Sequence, residues 1–303
     1  MRLLIATDGS ASADRTLDLV LQEAWGETLT VRVVTVLDVA AMSIGSPWPV
    51  VPVPVYDIEG TVRSAGEETL ARAVARLTDH VAVESAVLFG RAGSTIAAEA
   101  RRWGADAILI GSRGHGALST MLLGSVSAEV IDAADRPVLV ARADHVDRVV
   151  LGVDGSAGAS AALDVVLRWP VFRALPIHVV SVTPSAHPWW VGMAEAGSVS
   201  VLPEYLDTED ALRDEEAGLV EQTVARLEAA GCHATGEVRE GDAAERLIAS
   251  ARATHSDLII TGTHGRTGLD RLVMGSVARN VMIHAGCSVL IVHQPIVEHA
   301  KAA

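Results

Sequence analysis

Lysine is almost absent from this chain: among its 303 residues Lys301 is the only one. A P-loop ATPase needs a lysine at the β- and γ-phosphates, so that class is excluded. A Schiff-base or pyridoxal-phosphate enzyme has no suitable amine either. Basic charge is scarce altogether, with 24 basic against 38 acidic side chains and a formal net charge of −14. A phosphate-backbone reader carries a basic face, so nucleic acid is not an expected partner. Only two cysteines occur, Cys232 and Cys287. They form neither a CxxC pair nor a zinc spacing, and read as reduced, structural thiols of a cytoplasmic protein. Long apolar runs are missing as well. The most membrane-like stretch, Val33 to Tyr56, contains Asp38, Pro47, Pro49, Pro52 and Pro54, which suits a strand and an extended loop, not a spanning helix. The opening MRLLIATDGS has no h-region and reads as a strand running into a turn, not as a signal peptide. Eleven histidines occur, yet none forms HxxxH or a compact His/Asp cluster, so no metal site made by protein alone is expected. Aromatics make up only 3% of a chain that is 50% hydrophobic. Its cores must therefore be large and built from Val, Leu, Ile and Ala.

What the chain does have is itself, twice. LLIATDGS at 3–10 returns as VLGVDGS at 150–156, GSRG at 111–114 as GTHG at 262–265, and PVLVA at 137–141 as SVLIV at 288–292. The spacing between copies lengthens along the chain. The extra residues fit the loop after the second strand, Ile44 to Tyr56 in the first half and Pro184 to Pro203, with Trp189 and Trp190, in the second. Those tryptophans could cover their own domain or mark a partner surface. A short polar connection near Ala143 to Asp147 gives two expected domains, 1–145 and 146–303.

Each half alternates strand and helix. The brief apolar runs Leu3–Ala6 and Val149–Val153 suit buried parallel strands. Leu17, Val20, Leu21 and Ala24, matched by Leu163, Val166 and Leu167, repeat at helical spacing, with Ser10 or Ser12 available as the cap. Further strands are expected over Thr30–Leu37, Ala82–Leu88 and Ala107–Ile110, and over Ile177–Thr183, Ala234–Val238 and Leu258–Thr261. Helices lie between them and a fifth strand closes each half. Alternation of this kind gives a parallel α/β sheet covered on both faces.

Chemistry concentrates in GSRGHGALSTMLLGSVS (111–127) and GTHGRTGLDRLVMGSVA (262–278). Gly111 and Gly114, or Gly262 and Gly265, let the backbone turn and approach a ligand with no Cβ in the way. After nine intervening residues Gly124-Ser125 and Gly275-Ser276 open a helix. Its free N–H groups and positive dipole end make a phosphate site that needs no lysine. Asp8 and Asp154 follow strand one, beside strand four. Either carboxylate can accept from ribose hydroxyls or an adenine amino group, or can cap the first helix. The run GSRGHG is not a dinucleotide fingerprint, because its glycines are misspaced and no acid follows strand two on schedule.

The repeated G-x2-G-x9-G-S motif after strand four, with an Asp after strand one, resembles the ATP-binding branch of the universal stress protein family in its tandem-domain form. The likeness covers nearly the whole chain. It implies two doubly wound α/β domains with strand order 3-2-1-4-5 and helices on both faces, joined through their fifth strands so that Val138–Val140 meets Val289–Ile291. It also implies that Asp8 and Asp154 hold the nucleoside and that the backbone at Val36 and Val182 meets adenine. Phosphates would then rest on Gly111, Gly114, Gly124 and Ser125 and on Gly262, Gly265, Gly275 and Ser276. Half two carries the family's GRTG at 265–268, whereas half one has Gly114-His115-Gly116-Ala117. The basic residue changes sides, Arg113 aligning with His264 and His115 with Arg266; these side chains either reach phosphate or are solvated loop residues.

The resulting expectation is a cytoplasmic ATP-binding regulatory protein of stress response, whose nucleotide occupancy sets conformation or the affinity for an unidentified protein partner. Any Mg²⁺ would be held mainly by the phosphates. The alternatives are a slow metal-dependent ATPase or nucleotidyl-transfer enzyme, and a scaffold with empty pockets. The tandem makes an intrachain pseudo-dimer, with a homodimer of whole chains left open.

Overall fold

The structure, a computed structural model, describes residues 1–38, 55–112, 114, 123–184, 202–265 and 274–294. Trp189, Trp190, Arg113, His115 and Arg266 lie outside the described residues. The first half runs β1 (Arg2–Ala6), α1 (Ala11–Gln22), β2 (Thr30–Leu37), α2 (Val55–Leu77), β3 (Ala82–Phe89), α3 (Ala92–Trp103), β4 (Ala107–Gly111), α4 (Ser125–Ala133) and β5 (Val138–Ala141). The second repeats it as β6 (Val149–Gly152), α5 (Ala157–Arg168), β7 (Pro176–Thr183), α6 (Leu202–Ala229), β8 (His233–Glu240), α7 (Ala243–Ala253), β9 (Leu258–Gly262), α8 (Ser276–His284) and β10 (Ser288–Val292). A short 3₁₀ turn, Pro170–Phe172, follows α5. Helices α2 and α6 begin inside stretches read from sequence as loop. Proline there misled the reading: Pro54 precedes α2 and Pro203 sits in the first turn of α6, where a missing N–H costs nothing.

The ten strands among the described residues form one sheet in the order β3-β2-β1-β4-β5-β10-β9-β6-β7-β8. Within each half the pairing is parallel and follows 3-2-1-4-5, as expected. The halves join through one antiparallel ladder, Val138 opposite Ile291, Leu139 opposite Leu290 and Val140 opposite Val289. The inner strands are short, continuous apolar runs because both faces are covered. Alternation along them feeds two cores. Leu3, Ile5, Leu109, Leu139 and Leu290 pack with Leu17, Val20, Leu70 and Leu77 on the α1/α2 side. Leu4, Ile108, Ile110, Val138, Val140 and Val289 pack with Ile96, Val130 and Ile131 on the α3/α4 side. Both cores cross the domain boundary, so neither half keeps its hydrophobic interior to itself. Among the described residues no helix is long and apolar enough to cross a membrane.

Side-chain hydrogen bonds and one aromatic group also span the junction. The Arg142 guanidinium donates to the carbonyls of Met282 and, at 3.3 Å, Cys287. His293 Nε2 lies 2.9 Å from the Ile131 carbonyl. Glu23 Oε1 accepts the Val146 N–H at 2.7 Å. Trp25, from the turn after α1, and Trp169, the C-cap of α5, meet with centroids 6.2 Å apart, and Trp169 stacks on Phe172.

Burial at this junction depresses the His293 pKa below its ordinary 6.5; the Ile131 and Arg136 backbone and Asp135 push it up, and His264 adds to the depression. The folded state then binds fewer protons than the unfolded one between the depressed value and 6.5. Stability is complete above 6.5 and is lost as pH falls through that window. His293→Gln should therefore show less loss of melting temperature between pH 7 and pH 5 than the parent protein. An unchanged pH profile would mean that His293 does not contribute.

Candidate functional site

Strand order reverses between β1 and β4, since the chain leaves β1 toward β2 and β3 and returns on the other side. A crevice opens past the carboxyl ends of two such strands. The same happens between β6 and β9. Each crevice is a cleft, of about 1130 Å³ in half one and about 730 Å³ in half two, open mouths included. All twelve residues singled out from sequence line these two clefts. Asp8, Val36, Gly111, Gly114, Gly124 and Ser125 line the first, and Asp154, Val182, Gly262, Gly265, Gly275 and Ser276 line the second.

The aspartates do not cap the first helix. Ser10 Oγ accepts the Ala13 N–H at 3.2 Å and Ser156 Oγ accepts the Ala159 N–H at 3.1 Å, so the serines fill that role. One carboxylate oxygen of each aspartate accepts the N–H two residues on, from Ser10 at 3.0 Å and Ser156 at 2.9 Å. The other oxygen faces the second glycine of the motif. A Cβ on Gly265 would stand 2.7 Å from Asp154 Oδ2, and one on Gly114 would collide with Asp8 Oδ2. Asp and Gly thus touch across the switch point in both halves, although they are far apart in sequence.

The first glycine has a different reason to lack a side chain. A Cβ on Gly111 would lie 2.7–2.8 Å from backbone atoms of Ser12 and Ala13, and one on Gly262 would strike the backbone of Gly158. Close packing of the first helix on the end of strand four requires these glycines, whatever occupies the cleft. The motif's far arm is tied back by main-chain bonds, Gly124 N–H to Ser112 O at 3.0 Å and Gly275 N–H to Thr263 O at 2.9 Å. These bonds deliver the N-termini of α4 and α8 to the cleft. Neither helix has a side-chain hydrogen bond at its N-cap, in contrast to α1 and α5. Their first amides are donors with no intrahelical acceptor.

The last pairs of β1 with β2 and of β6 with β7 are Ala6 with Val34 and Gly152 with Val180. Thr7 and Val153 still donate to the carbonyls of Val34 and Val180. Strand alternation turns the N–H and C=O of Val36 and Val182 to the same edge, one step past that last bond. A main-chain donor and acceptor are thereby presented side by side at the cleft's inner end.

Sequence reasoning missed the far wall: Ala92 and Ile96 from α3, with Ala243 and Leu247 from α7. Their recurrence in both halves was the available signal. It also missed that Ile110 in the first cleft is replaced by Thr261 in the second. Nor did spacing reveal the one cluster of potential metal ligands among the described residues, His145, Asp147 and Asp257, whose ligand atoms lie within 4.8 Å of one another. The fold brings Asp257 there from β9's threshold, away from both clefts, and its carboxylate accepts the Asp147 N–H at 3.0 Å. His145 Nδ1 is held by Asp144 at 2.7 Å, which raises the imidazole pKa. Cys232 and Cys287 are free thiols; burial raises both, Cys287 to about 11, so neither is a reactive thiolate.

Fold and clefts together define a class: a tandem of doubly wound domains fused edge to edge, each with a crevice at its own switch point. The model of the universal stress protein family matches residues 1–142 and again 145–293. The chain belongs to that family. It is 27% identical to universal stress protein Rv2005c of Mycobacterium tuberculosis over 96% of this chain and 97% of that one. It is 29% identical to a universal stress protein of Mycolicibacterium smegmatis, covering 96% of each. The crystal structure of a universal stress protein from Archaeoglobus fulgidus superposes with a TM-score of 0.68 at 18% identity, covering 97% of this chain and 98% of that chain, a likeness of fold.

Proposed function

We propose that each half binds one ATP and that the protein acts as a regulator in stress response, its nucleotide occupancy setting the conformation of surface loops or the affinity for a partner protein. One observation carries this reading. An uncapped helix N-terminus, a carboxylate and a main-chain donor–acceptor pair converge on the same cleft, twice. The amides of α4 and α8 suit phosphate oxygens. Asp8 and Asp154 suit ribose hydroxyls. The N–H and C=O at Val36 and Val182 match the N1 acceptor and N6 donor of adenine. Each cleft offers a single acidic side chain among its described lining residues, so Mg²⁺ would arrive on the phosphates.

Phosphoryl transfer needs a positioned nucleophile and a cation for the developing charge. Asp8 and Asp154 sit at the β1/β4 and β6/β9 crevice with one oxygen already bonded to the backbone, which suits holding a ribose better than activating water. The protein is therefore expected to take up two equivalents of ATP and to release phosphate far below the ~1–1000 s⁻¹ of typical enzymes. Acid extraction with mass identification, then calorimetry on nucleotide-free protein, tests binding. Absence of ATP uptake, or a preference for NAD, would remove the reading. Turnover of several per second lost in Asp8→Asn/Asp154→Asn would replace it with an enzyme.

A further inference from the structure

The fold ties each candidate phosphate helix to the opposite domain. Helices α4 and α8 have nine residues each, about 13 Å of rigid rod. Their N-termini are fixed within their own domain, by the Gly124 and Gly275 amides and, in α4, by Ser127 Oγ donating to Gly111 O at 2.9 Å. Their C-terminal carbonyls end without an i+4 partner. Ile131 and Met282 hold the same place in the two helices, the third residue from the end. His293, just past β10, meets the Ile131 carbonyl, and Arg142, just past β5, donates to the Met282 carbonyl. His293 and Arg142 themselves occupy equivalent positions. The exchange is reciprocal, and it crosses the junction in both directions.

We propose that Arg142 and His293 are positioning residues for the nucleotide site of the domain they do not belong to. Arg142 holds α8 for the second cleft, and His293 holds α4 for the first. The proposal rests on the ATP reading above. Each side chain pins one end of a short rod whose other end presents amides to the ligand. A freed C-terminus lets the rod tilt and moves those amides. Arg142 also places a fixed positive charge at the negative end of α8. The two helices are not equally dependent. Helix α4 has a second tie inside its own domain, Arg91 to Glu129 at 2.7 Å, where α8 carries Asn280 opposite Asp242. Loss of Arg142 should therefore cost more than loss of His293.

The experiment isolates each cleft by disabling the other. Gly114→Glu leaves only the second site, and Gly265→Glu only the first. Adding Arg142→Ala should weaken ATP binding by roughly 3- to 10-fold at the second site and leave the first unchanged. His293→Ala should do the reverse, by a smaller factor. Arg142→Lys and His293→Gln, which keep a donor for the carbonyl, should restore most of the affinity. Hydrogen exchange should show faster exchange in the last turn of α8 alone for Arg142→Ala and of α4 alone for His293→Ala. Equal losses at both sites, losses in the residue's own domain, or no recovery in the conservative variants would overturn the crossed arrangement. Failure of the parent protein to take up ATP is seen before any substitution and defeats the nucleotide reading itself, and this inference with it.

Discussion

Gly265→Glu should remove one of the two ATP equivalents and leave the other, Gly114→Glu should remove its counterpart, and the double variant should bind none. The expected loss at the altered site is about 100-fold or more, equivalent to about 2.7 kcal/mol. Two effects combine. The new Cβ alone enters the space of the Asp154 or Asp8 carboxylate, at 2.7 Å in the Gly265 case. That carboxylate must then move away from where the nucleoside is expected. The added charge also stands beside an existing one, and two like charges 4 Å apart repel by about 4 kcal/mol at the effective dielectric of a protein surface. Gly→Ala at the same positions separates the effects. It keeps the steric displacement without the charge and should cost about 10-fold. Calorimetry measures both series, with circular dichroism to establish that the fold survives. Unchanged nucleotide uptake in the double Glu variant would show that these loops do not cradle the ligand.

Trp169→Ala should produce the largest fall in stability of any single substitution at the domain junction. Its ring is buried between Trp25 and Phe172, and Gly26 approaches Pro170 alongside. Removing a buried tryptophan from a close-packed site costs about 3–5 kcal/mol. In a chain of this size that lowers the melting midpoint by roughly 5–8 °C. Trp25→Ala should act similarly. The two together should cost less than the sum, because each loses the contact with the other. ATP uptake should persist, since neither ring lines a cleft. Scanning calorimetry gives the shift; a change under about 2 °C would mean that the aromatic group does not bind the halves together.

The arrangement of the halves was legible because repetition turns weak signals into strong ones. A single GSRG is a common tetrapeptide, but GSRG and GTHG each followed after nine intervening residues by Gly-Ser, with an Asp after strand one in both copies, is not. Strand positions followed from the same doubling, with limits off by a residue or two. What stayed illegible depends on contacts between residues distant in the chain. Nothing near Gly111 announces that the turn of Ser12 and Ala13 will press against it. From sequence that glycine reads as a turn and ligand-approach residue, with no sign of its packing role. The choice between Asp8 and Ser10 as helix cap needed the actual hydrogen bonds. The walls at Ala92 and Ala243 are small residues with no chemistry to draw notice. Arg142 and His293 differ in side chain although they share a place, which conceals their equivalence from any comparison of the two halves by identity.

The ladder between β5 and β10 has one more effect. A parallel five-stranded sheet has two open margins, and in this chain each half has spent one of them on the other. The margins left over belong to β3 and β8, both partly exposed, β8 largely polar and β3 apolar apart from Glu84 and Ser85. They are flanked by ion pairs such as Arg32–Glu84 at 2.5 Å and Arg239–Glu237 at 2.8 Å, features that discourage edge-on pairing. A second copy that extended the sheet would have to do so at these two outer margins, past their charged side chains. Fusing two domains into one chain has settled permanently the question that separate domains would have to settle by concentration.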